Sequence, residues 1–320
     1  MKSRRVWLIA TAVVVVLTIG FVVRLTRPGD SAPGLWMTKP FLSIAHQGGE
    51  GEAPSSTMYA FRRAVDAGAD MLEMDVHATA DDVLVVTHDA TVDRTTDGSG
   101  PVRGKTFRET QQLDAAYHSE LRGVRTGDRP PPPGYAAGDF AMASLEQVLT
   151  RFPRIPVTVE IKGDDDSYGR NARLLAELLR RLNRVEDVIV ASFDDEAIAE
   201  FHRLAPDVGL APGFNEVLRY LTLRVRPIDG TVALQIPVAF QGIKVATPGF
   251  IARAHSDGYA VHVWFSGTGS EDEATYNSLI DACADGLMSS KPTLLESILN
   301  QRGVARPGTP GTDPCPAGSD

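Results

Sequence analysis

From residue 144 to residue 302, short apolar runs alternate with segments of helical periodicity. These apolar runs have no polar face, which is typical of strands in a parallel sheet that helices cover on both sides. With two further runs nearer the N-terminus, the sequence predicts eight strands, at 42–46, 71–76, 157–161, 188–193, 208–211, 232–236, 260–265 and 285–289. Eight such strands favour an α/β fold of the closed (β/α)8 TIM barrel type over an open doubly wound sheet. No G-x-G-x-x-G motif opens a helix, which argues against a nucleotide-binding sheet.

The first 29 residues have the composition of a membrane segment. Val6 to Val23 is a run of 18 residues without a charged side chain, just long enough to cross the ~30 Å hydrocarbon layer. Lys2, Arg4 and Arg5 precede the run, and this excess of positive charge predicts an N-terminus in the cytoplasm. We expect a single-pass anchor in the cell membrane with an extracytoplasmic barrel. A cleaved signal peptide, which would give a secreted protein, is the alternative.

The rest of the chain divides by composition. Residues 30–40 have the Pro and Gly content of a linker, and 41–302 form the predicted barrel. Within the barrel, 97–141 is an irregular insertion after strand 2, which is either a cap over a site or a surface excursion. Residues 303–320 are rich in Pro and Gly and are expected to be a disordered tail.

Two further totals limit the kinds of site and partner. The net charge of −9 argues against nucleic acid as the main partner. Cys283 and Cys315 are the two cysteines, too few for a disulfide framework or a cysteine-based metal site. A single Cys283–Cys315 bridge remains open as the less favoured alternative, since Cys315 lies in the Pro/Gly-rich tail. The sequence does not indicate an oligomeric state.

Charged side chains are paired at two of the predicted strands. Glu73 and Asp75 are two residues apart in strand 2, and Glu160 and Lys162 have the same spacing at the end of strand 3. Strand side chains alternate between faces, so the members of each pair project to the same side. An unpaired buried carboxylate is very costly, which predicts a cation opposite them. Oxygen ligands without cysteine favour Ca²⁺ or Mg²⁺.

Two histidines and one aromatic residue stand where other predicted strands end. His46 follows strand 1, His88 follows the β element after strand 2, and Trp264 lies near the end of strand 7. The active sites of TIM barrels lie at the carboxyl ends of the strands, an end of the barrel that we call the mouth. We therefore expect these side chains to lie at the mouth together with the carboxylates. Imidazole groups suit general acid and base catalysis, and Lys162 suits a phosphate oxygen. The set as a whole favours metal-assisted cleavage of a phosphodiester.

The sequence resembles the glycerophosphodiester phosphodiesterase family. Segments that match the family pattern follow one another in family order between residues 42 and 299, among them AHQGGEGE, GADMLEMDVHAT, VVTHDATVDRTTDGSG, VTVEIK and ADGLMSSKP. The segments GG-x-GE, LQIP and GIKVATP look like the branch related to animal lysophospholipase D-type members. The resemblance implies a TIM barrel that hydrolyses glycerophosphodiesters or lysophospholipids to glycerol phosphate or lysophosphatidic acid and an alcohol.

The same resemblance implies roles for individual residues. The expected site contains a catalytic histidine pair, His46 and His88; metal ligands Glu73, Asp75 and Glu160; and substrate-binding residues Gln47, Lys162 and Trp264.

The chain also departs from the family pattern. Gln47 stands where the family has an arginine that helps to hold phosphate, and residues 54–57 read PSST instead of PENT. Residues 289–292 read SSKP instead of the family's TD-x-P. Because Gln47 has no charge, a second interpretation is a catalytically weak barrel that binds phosphorylated lipid or cell-wall head groups.

Overall fold

A computed structural model describes residue 36 and residues 40–163, 167–265 and 270–315. The predicted membrane segment, Val6 to Val23, lies outside these ranges. The helices within them are all too short or too polar to cross a bilayer.

Eight parallel strands form the barrel that the sequence predicts. In chain order the strands of the protein are β1 (Leu42–Ala45), β2 (Met71–Ala78), β3 (Leu84–Val86), β4 (Val157–Ile161), β5 (Val188–Ala191), β6 (Gly209–Leu210), β7 (Ala233–Pro237), β8 (Ala239–Phe240), β9 (Ile243–Lys244), β10 (Ala260–Trp264) and β11 (Gly286–Ser289). Around the barrel their order is β6-β5-β4-β2-β1-β11-β10-β7. Val232 N donates to Leu210 O at 2.9 Å, and this bond joins β6 to the start of β7 and nearly closes the ring.

Helices follow the strands and cover the outside of the barrel. They are α1 (Met58–Ala67), α2 (Phe107–Thr110), α3 (Leu145–Arg151), α4 (Tyr168–Arg181), α5 (Asp195–Leu204), α6 (Phe214–Leu223), α7 (Pro248–Ser256), α8 (Glu273–Asp281) and α9 (Pro292–Arg302). Local sequence explains where several begin. Ser144 and Gln147 form the capping box expected at the start of α3, because each side chain accepts from the other residue's backbone N–H.

Trp36 lies inside the barrel, although the sequence assigns 30–40 to a linker. Its side chain is 6% exposed and belongs to the apolar cluster that includes Leu42 of β1 and Met71 of β2. Its ring also meets the buried His262 ring edge-on, with centroids 6.5 Å apart. Composition predicts a linker from Pro and Gly, but one large apolar side chain gains enough by burial to fix this part of the chain.

The described part of the C-terminal tail is folded, contrary to the disorder expected for 303–320. Cys283 and Cys315 form a disulfide, which is the bridge that the sequence leaves as the less favoured alternative. Arg306 forms a buried ion pair with Glu296 of α9. These two links offset the chain entropy that a segment rich in Pro and Gly would otherwise retain.

The insertion at 97–141 packs on the flank of the barrel. Arg62 of α1 forms an ion pair with Asp139 at 2.7 Å, and the Tyr59 ring stacks on Phe140. The extra β element predicted near residues 83–88 is β3, which pairs antiparallel with β2. Phe107 N also donates to Asp81 Oδ1 in the β2–β3 turn at 2.8 Å, so contacts with α1 and with this turn hold the insertion against the barrel.

Candidate active site

Three carboxylates meet inside the barrel, and we call Glu73, Asp75 and Glu160 the acidic cluster. Each offers an oxygen within 4.8 Å of the others. Glu73 and Asp75 are 3% and 1% exposed. The parallel register that pairs Asp75 of β2 with Glu160 of β4 brings the third carboxylate to the first two. The residue types and their alternation are visible in the sequence, whereas this register depends on the fold.

Lys162 lies against the acidic cluster as predicted. Its Nζ is 2.8 Å from Glu160 Oε1 and 3.1 Å from Asp75 Oδ1. Burial by itself would lower the pKa of Lys162, but the charges of Asp75 and Glu160 outweigh it and raise that pKa. Lys162 therefore remains an ammonium ion that neutralises part of the cluster.

The acidic cluster retains more negative charge than Lys162 can compensate. Burial, followed by the charge of Asp75, raises the pKa of Glu73 and that of Glu160. Asp75 Oδ2 is buried and has no hydrogen-bond partner among the described residues. A carboxylate oxygen in this state is costly unless a cation binds it.

His46 approaches the same cluster from the turn after β1. Its Nε2 lies 3.7 Å from Glu73 Oε2, and its Nδ1 lies 2.5 Å from Glu50 Oε1. Burial lowers the pKa of His46, but the charges of Glu73, Glu50 and Asp75 outweigh it and raise that pKa to about 10. A cation bound at the cluster would oppose this effect, since it would neutralise the carboxylates that stabilise the imidazolium.

The turn that holds His46 has a tightly constrained backbone. Gln47 adopts a left-handed conformation with φ 47°, and Gly48 and Gly49 follow with φ 79° and 91°. A Cβ at Gly49 would lie 2.7 Å from Pro292, so only glycine fits. Strained turns of this kind are frequent at functional sites.

Gln47 contributes to this site mainly through its backbone. Its N–H donates to Glu73 Oε2 at 2.9 Å, whereas its side-chain Oε1 accepts from Ser55 Oγ at 2.7 Å. The side chain is 5% exposed. The contact of its amide with Ser55 differs from the substrate contact that the family resemblance implies for this position.

His88 reaches the mouth from the loop after β3. Its Nδ1 lies 2.8 Å from Asp89 Oδ1. The Arg94 guanidinium donates to both oxygens of Asp89, at 2.6 and 3.0 Å. The hydrogen bond from Arg94, together with that from His88, lowers the pKa of Asp89 to about 2. His77 Nε2 is 3.2 Å from the His88 carbonyl oxygen. Asp89, Arg94 and His77 therefore position His88.

Trp264 lies at the other side of the mouth, next to an aromatic residue that sequence reasoning missed. Its ring meets the Phe193 ring edge-on at 5.7 Å. Phe193 is also 5.6 Å from Lys162 Nζ, and it is 52% exposed. Phe193 lies just after β5, as Trp264 lies at the end of β10. An aromatic residue at the carboxyl end of a strand is therefore the sequence signal that could have identified Phe193.

The donor set of the acidic cluster fits a hard divalent cation. Its oxygens are close enough to share one ion, the cluster contains no sulfur ligand, and Asp75 Oδ2 is a buried acceptor without a partner in the described structure. Ca²⁺ and Mg²⁺ both prefer such oxygen ligands, and they differ in the coordination number and geometry that they require. The acidic cluster is therefore suited to bind a divalent cation, and its ligands do not distinguish Ca²⁺ from Mg²⁺.

Comparison with known proteins agrees with this geometry. The sequence model of the glycerophosphoryl diester phosphodiesterase family matches residues 46–294. A glycerophosphodiester phosphodiesterase of Caldanaerobacter subterraneus is 28% identical over 275 residues, which are 82% of this chain and 99% of that protein. The lysophospholipase D GDPD1 of Rattus norvegicus is 26% identical over 292 residues, which are 81% of this chain and 87% of that protein.

A solved structure shares the fold. The crystal structure of a glycerophosphodiester phosphodiesterase from Agrobacterium tumefaciens superposes with a TM-score of 0.64 and 25% sequence identity. The match covers 80% of this chain and 100% of that one. The barrel, the acidic cluster at its mouth and the match over 46–294 lead to one conclusion: the chain belongs to the glycerophosphoryl diester phosphodiesterase family.

Proposed function

We propose that this protein hydrolyses glycerophosphodiesters or lysophospholipids, with a divalent cation, to glycerol phosphate or lysophosphatidic acid and an alcohol. Family membership supports the reaction class, phosphoric diester hydrolysis. The observation that carries the cation requirement is the acidic cluster, in which three carboxylates converge and the buried Asp75 Oδ2 has no hydrogen-bond partner within the described part of the chain.

Glu73, Asp75 and Glu160 would hold the cation, and Lys162 would bind a phosphate oxygen beside it. A cation bound there supplies positive charge that offsets the charge developing on the phosphate. Lys162 already contacts Asp75 and Glu160, so its ammonium group needs little rearrangement to share a phosphate oxygen.

His46 and His88 would act as the acid and base pair. One imidazole takes the proton from the attacking water or substrate hydroxyl as the new P–O bond forms; attack by the hydroxyl gives a cyclic phosphate, which a water molecule must then open to the monoester product. The other gives a proton to the leaving alcohol oxygen as the old P–O bond breaks. Glu50 orients the ring of His46 and Asp89 orients that of His88, since each accepts at Nδ1 when that nitrogen is protonated.

The proposed location is the outer side of a cell membrane, with a secreted form as the alternative. The uncharged run from Val6 to Val23 and the basic residues before it support an anchor. The Cys283–Cys315 disulfide supports an oxidising compartment, because such bonds are rare in reducing cytosol.

The test is hydrolysis of glycerophosphocholine and of lysophosphatidylcholine by the full chain, with Ca²⁺, with Mg²⁺ and with chelator. We expect turnover that needs a cation, and His46→Ala should lower kcat by about 100-fold or more. His118→Ala is the matched control, because His118 is an exposed histidine of the insertion. Absence of turnover on both substrates, with His46→Ala indistinguishable from the unsubstituted chain, would contradict the proposed activity.

The same assay addresses the alternative of a catalytically weak barrel that binds phosphorylated head groups. The neutral Gln47, with its amide bound to Ser55, is the observation that favours this alternative. Binding of glycerophosphocholine without turnover in either cation would support it.

A further inference from the structure

Large apolar side chains are exposed near the mouth of the barrel. Phe193 follows β5, and Phe214 begins α6. Phe240 and Ile243 lie on the β8–β9 hairpin, which comes after β7. Their exposed fractions range from 38% for Phe214 to 71% for Ile243. The carboxyl ends of the strands lie at the mouth, and all four residues follow such an end. Their side chains therefore lie at the same end of the barrel as the acidic cluster.

The hairpin presents its apolar residues in a defined way. Its turn consists of Gln241 and Gly242, which have φ 48° and 80°, as a two-residue type I′ turn requires. Phe240 and Ile243 are direct cross-strand partners on either side of this turn. Paired residues project to the same face of a hairpin, so the two side chains form one apolar surface.

Contacts connect this hairpin to the phosphate-binding lysine. Lys162 Nζ is 5.6 Å from the Phe193 ring centroid, and the Phe193 ring contacts Trp264. Phe214 N donates to Phe193 O at 3.1 Å. The rings of Phe214 and Phe240 have centroids 5.4 Å apart.

The backbone bond between Phe193 and Phe214 holds these two aromatic pairs next to each other, on the side of the mouth that leads from Lys162 towards solvent, and we call this set of residues the aromatic path. It consists of Phe193, Trp264, Phe214, Phe240 and Ile243.

We propose that the aromatic path binds the acyl chain of a single-chain phosphodiester whose phosphate lies at Lys162. The inference rests on the proposed function and names its substrate class. A deacylated glycerophosphodiester has no apolar tail that would bury this surface. In a lysophospholipid the glycerol unit separates the acyl chain from the phosphate, so a chain whose phosphate lies at Lys162 would extend outward over the aromatic path. Burial of the tail would then favour lysophospholipids.

The test compares kcat/KM for lysophosphatidylcholine with kcat/KM for glycerophosphocholine. The variant is Phe240→Ser combined with Ile243→Ser, since both side chains are exposed and their removal leaves no buried cavity. We expect the ratio of the two kcat/KM values to fall about tenfold or more. The lysolipid is kept monomeric, below the concentration at which it forms micelles.

Leu223→Ser is the matched control. Leu223 is 66% exposed and is the last residue of α6, at the opposite end of that helix from Phe214. This control should leave the ratio unchanged. An unchanged ratio in the double variant, or an equal fall in both kcat/KM values, would overturn the inference. A loss seen with lysolipid in phosphatidylcholine vesicles but not with monomeric lysolipid would also overturn it, because the surface would then dock on a membrane.

A binding measurement separates this inference from the proposed function. Tryptophan fluorescence can follow titration with lysophosphatidylcholines of increasing chain length in chelator, and a Trp264→Phe variant identifies the part of the signal that comes from Trp264 rather than from Trp7 and Trp36. Tighter binding of longer chains that the double variant abolishes would support the aromatic path even if neither substrate were hydrolysed. Binding that does not depend on chain length would contradict it even if both substrates were hydrolysed.

Discussion

Carboxylates cluster at both ends of β2, and their surroundings differ. Asp70 directly precedes the strand, and with Glu296 and Arg306 it forms what we call the basal cluster. Arg306 pairs with Glu296, and Ser43 N donates to Asp70 Oδ2 at 3.0 Å. One oxygen of each basal carboxylate thus accepts from a protein donor, while Glu296 Oε1, like Asp75 Oδ2, has no hydrogen-bond partner among the described residues.

The acidic cluster farther along β2 places three carboxylates around one lysine, whereas the basal cluster places two beside one arginine. Its three carboxylates share Lys162, the nearby His46 and the Gln47 N–H, and Asp75 Oδ2 has no hydrogen-bond partner in the described ranges. The comparison shows that the fold can place an arginine beside a buried acid. The negative charge that remains at the mouth therefore indicates a site for a ligand, whereas the basal cluster supports the structure.

The largest expected effect is on the basal cluster. Arg306→Met would leave Glu296 buried without its cation, and we expect the free energy of unfolding to fall by about 3–5 kcal/mol. Urea denaturation measures this change. Arg302→Met is the control, because Arg302 pairs with the more exposed Asp281 and should cost less than about 1 kcal/mol. Equal losses in the two variants would contradict the assignment of a structural role to Arg306.

The disulfide should contribute somewhat less to the same region. It spans a sequence separation of 32 residues and holds the segment that carries Arg306. Replacing both Cys283 and Cys315 by serine should lower the free energy of unfolding by about 2–4 kcal/mol. Reduction of the unsubstituted chain with dithiothreitol should give a similar loss, and dithiothreitol should not affect the double variant. A thermal transition that neither treatment changes would refute this contribution.

A change in the acidic cluster should have opposite effects on activity and stability. Glu160→Gln removes a proposed cation ligand, and we expect kcat/KM to fall by about 100-fold, or about 2.7 kcal/mol in the barrier. In chelator, the same variant should be more stable than the unsubstituted chain, because one of three mutually repelling carboxylates becomes neutral.

Glu177→Gln, at a surface ion pair of α4, is the control for both measurements. A loss of stability in Glu160→Gln comparable to that in Arg306→Met would show that the two clusters do not differ as described.

The smallest expected effect is a pH dependence that comes from Asp70. Burial, followed by the charge of Glu296, raises the pKa of Asp70 from 3.8 to about 7, although the Ser43 N–H and Arg306 oppose this rise. Between these values the folded state holds a proton that the unfolded state has lost, so stability falls as the pH rises.

We expect a loss on the order of 1 kcal/mol across this range, because the side chain is only partly shielded from water. Asp70→Asn should remove this component from a series of thermal denaturation curves. An unchanged pH dependence in that variant would assign it to other groups.

Much of the site could be predicted from the order of residues alone. The spacing of Glu73 and Asp75 predicts that they share a face of β2, and the eight apolar runs predict a barrel whose mouth collects strand ends. Other features gave weaker signals. Phe193 has no motif around it, and the contact of the Gln47 amide with Ser55 depends on how the turn after β1 folds.

Sequence by itself determined the eight strands, the face on which Glu73 and Asp75 lie, and the family, because strand periodicity and short motifs are local properties. Tertiary structure alone decided that Asp75 lies opposite Glu160, that Trp36 enters the barrel, and that Cys315 reaches Cys283. Each of these contacts joins residues far apart in the chain. Their formation depends on the balance between burial and chain entropy over the whole fold, which local patterns do not contain.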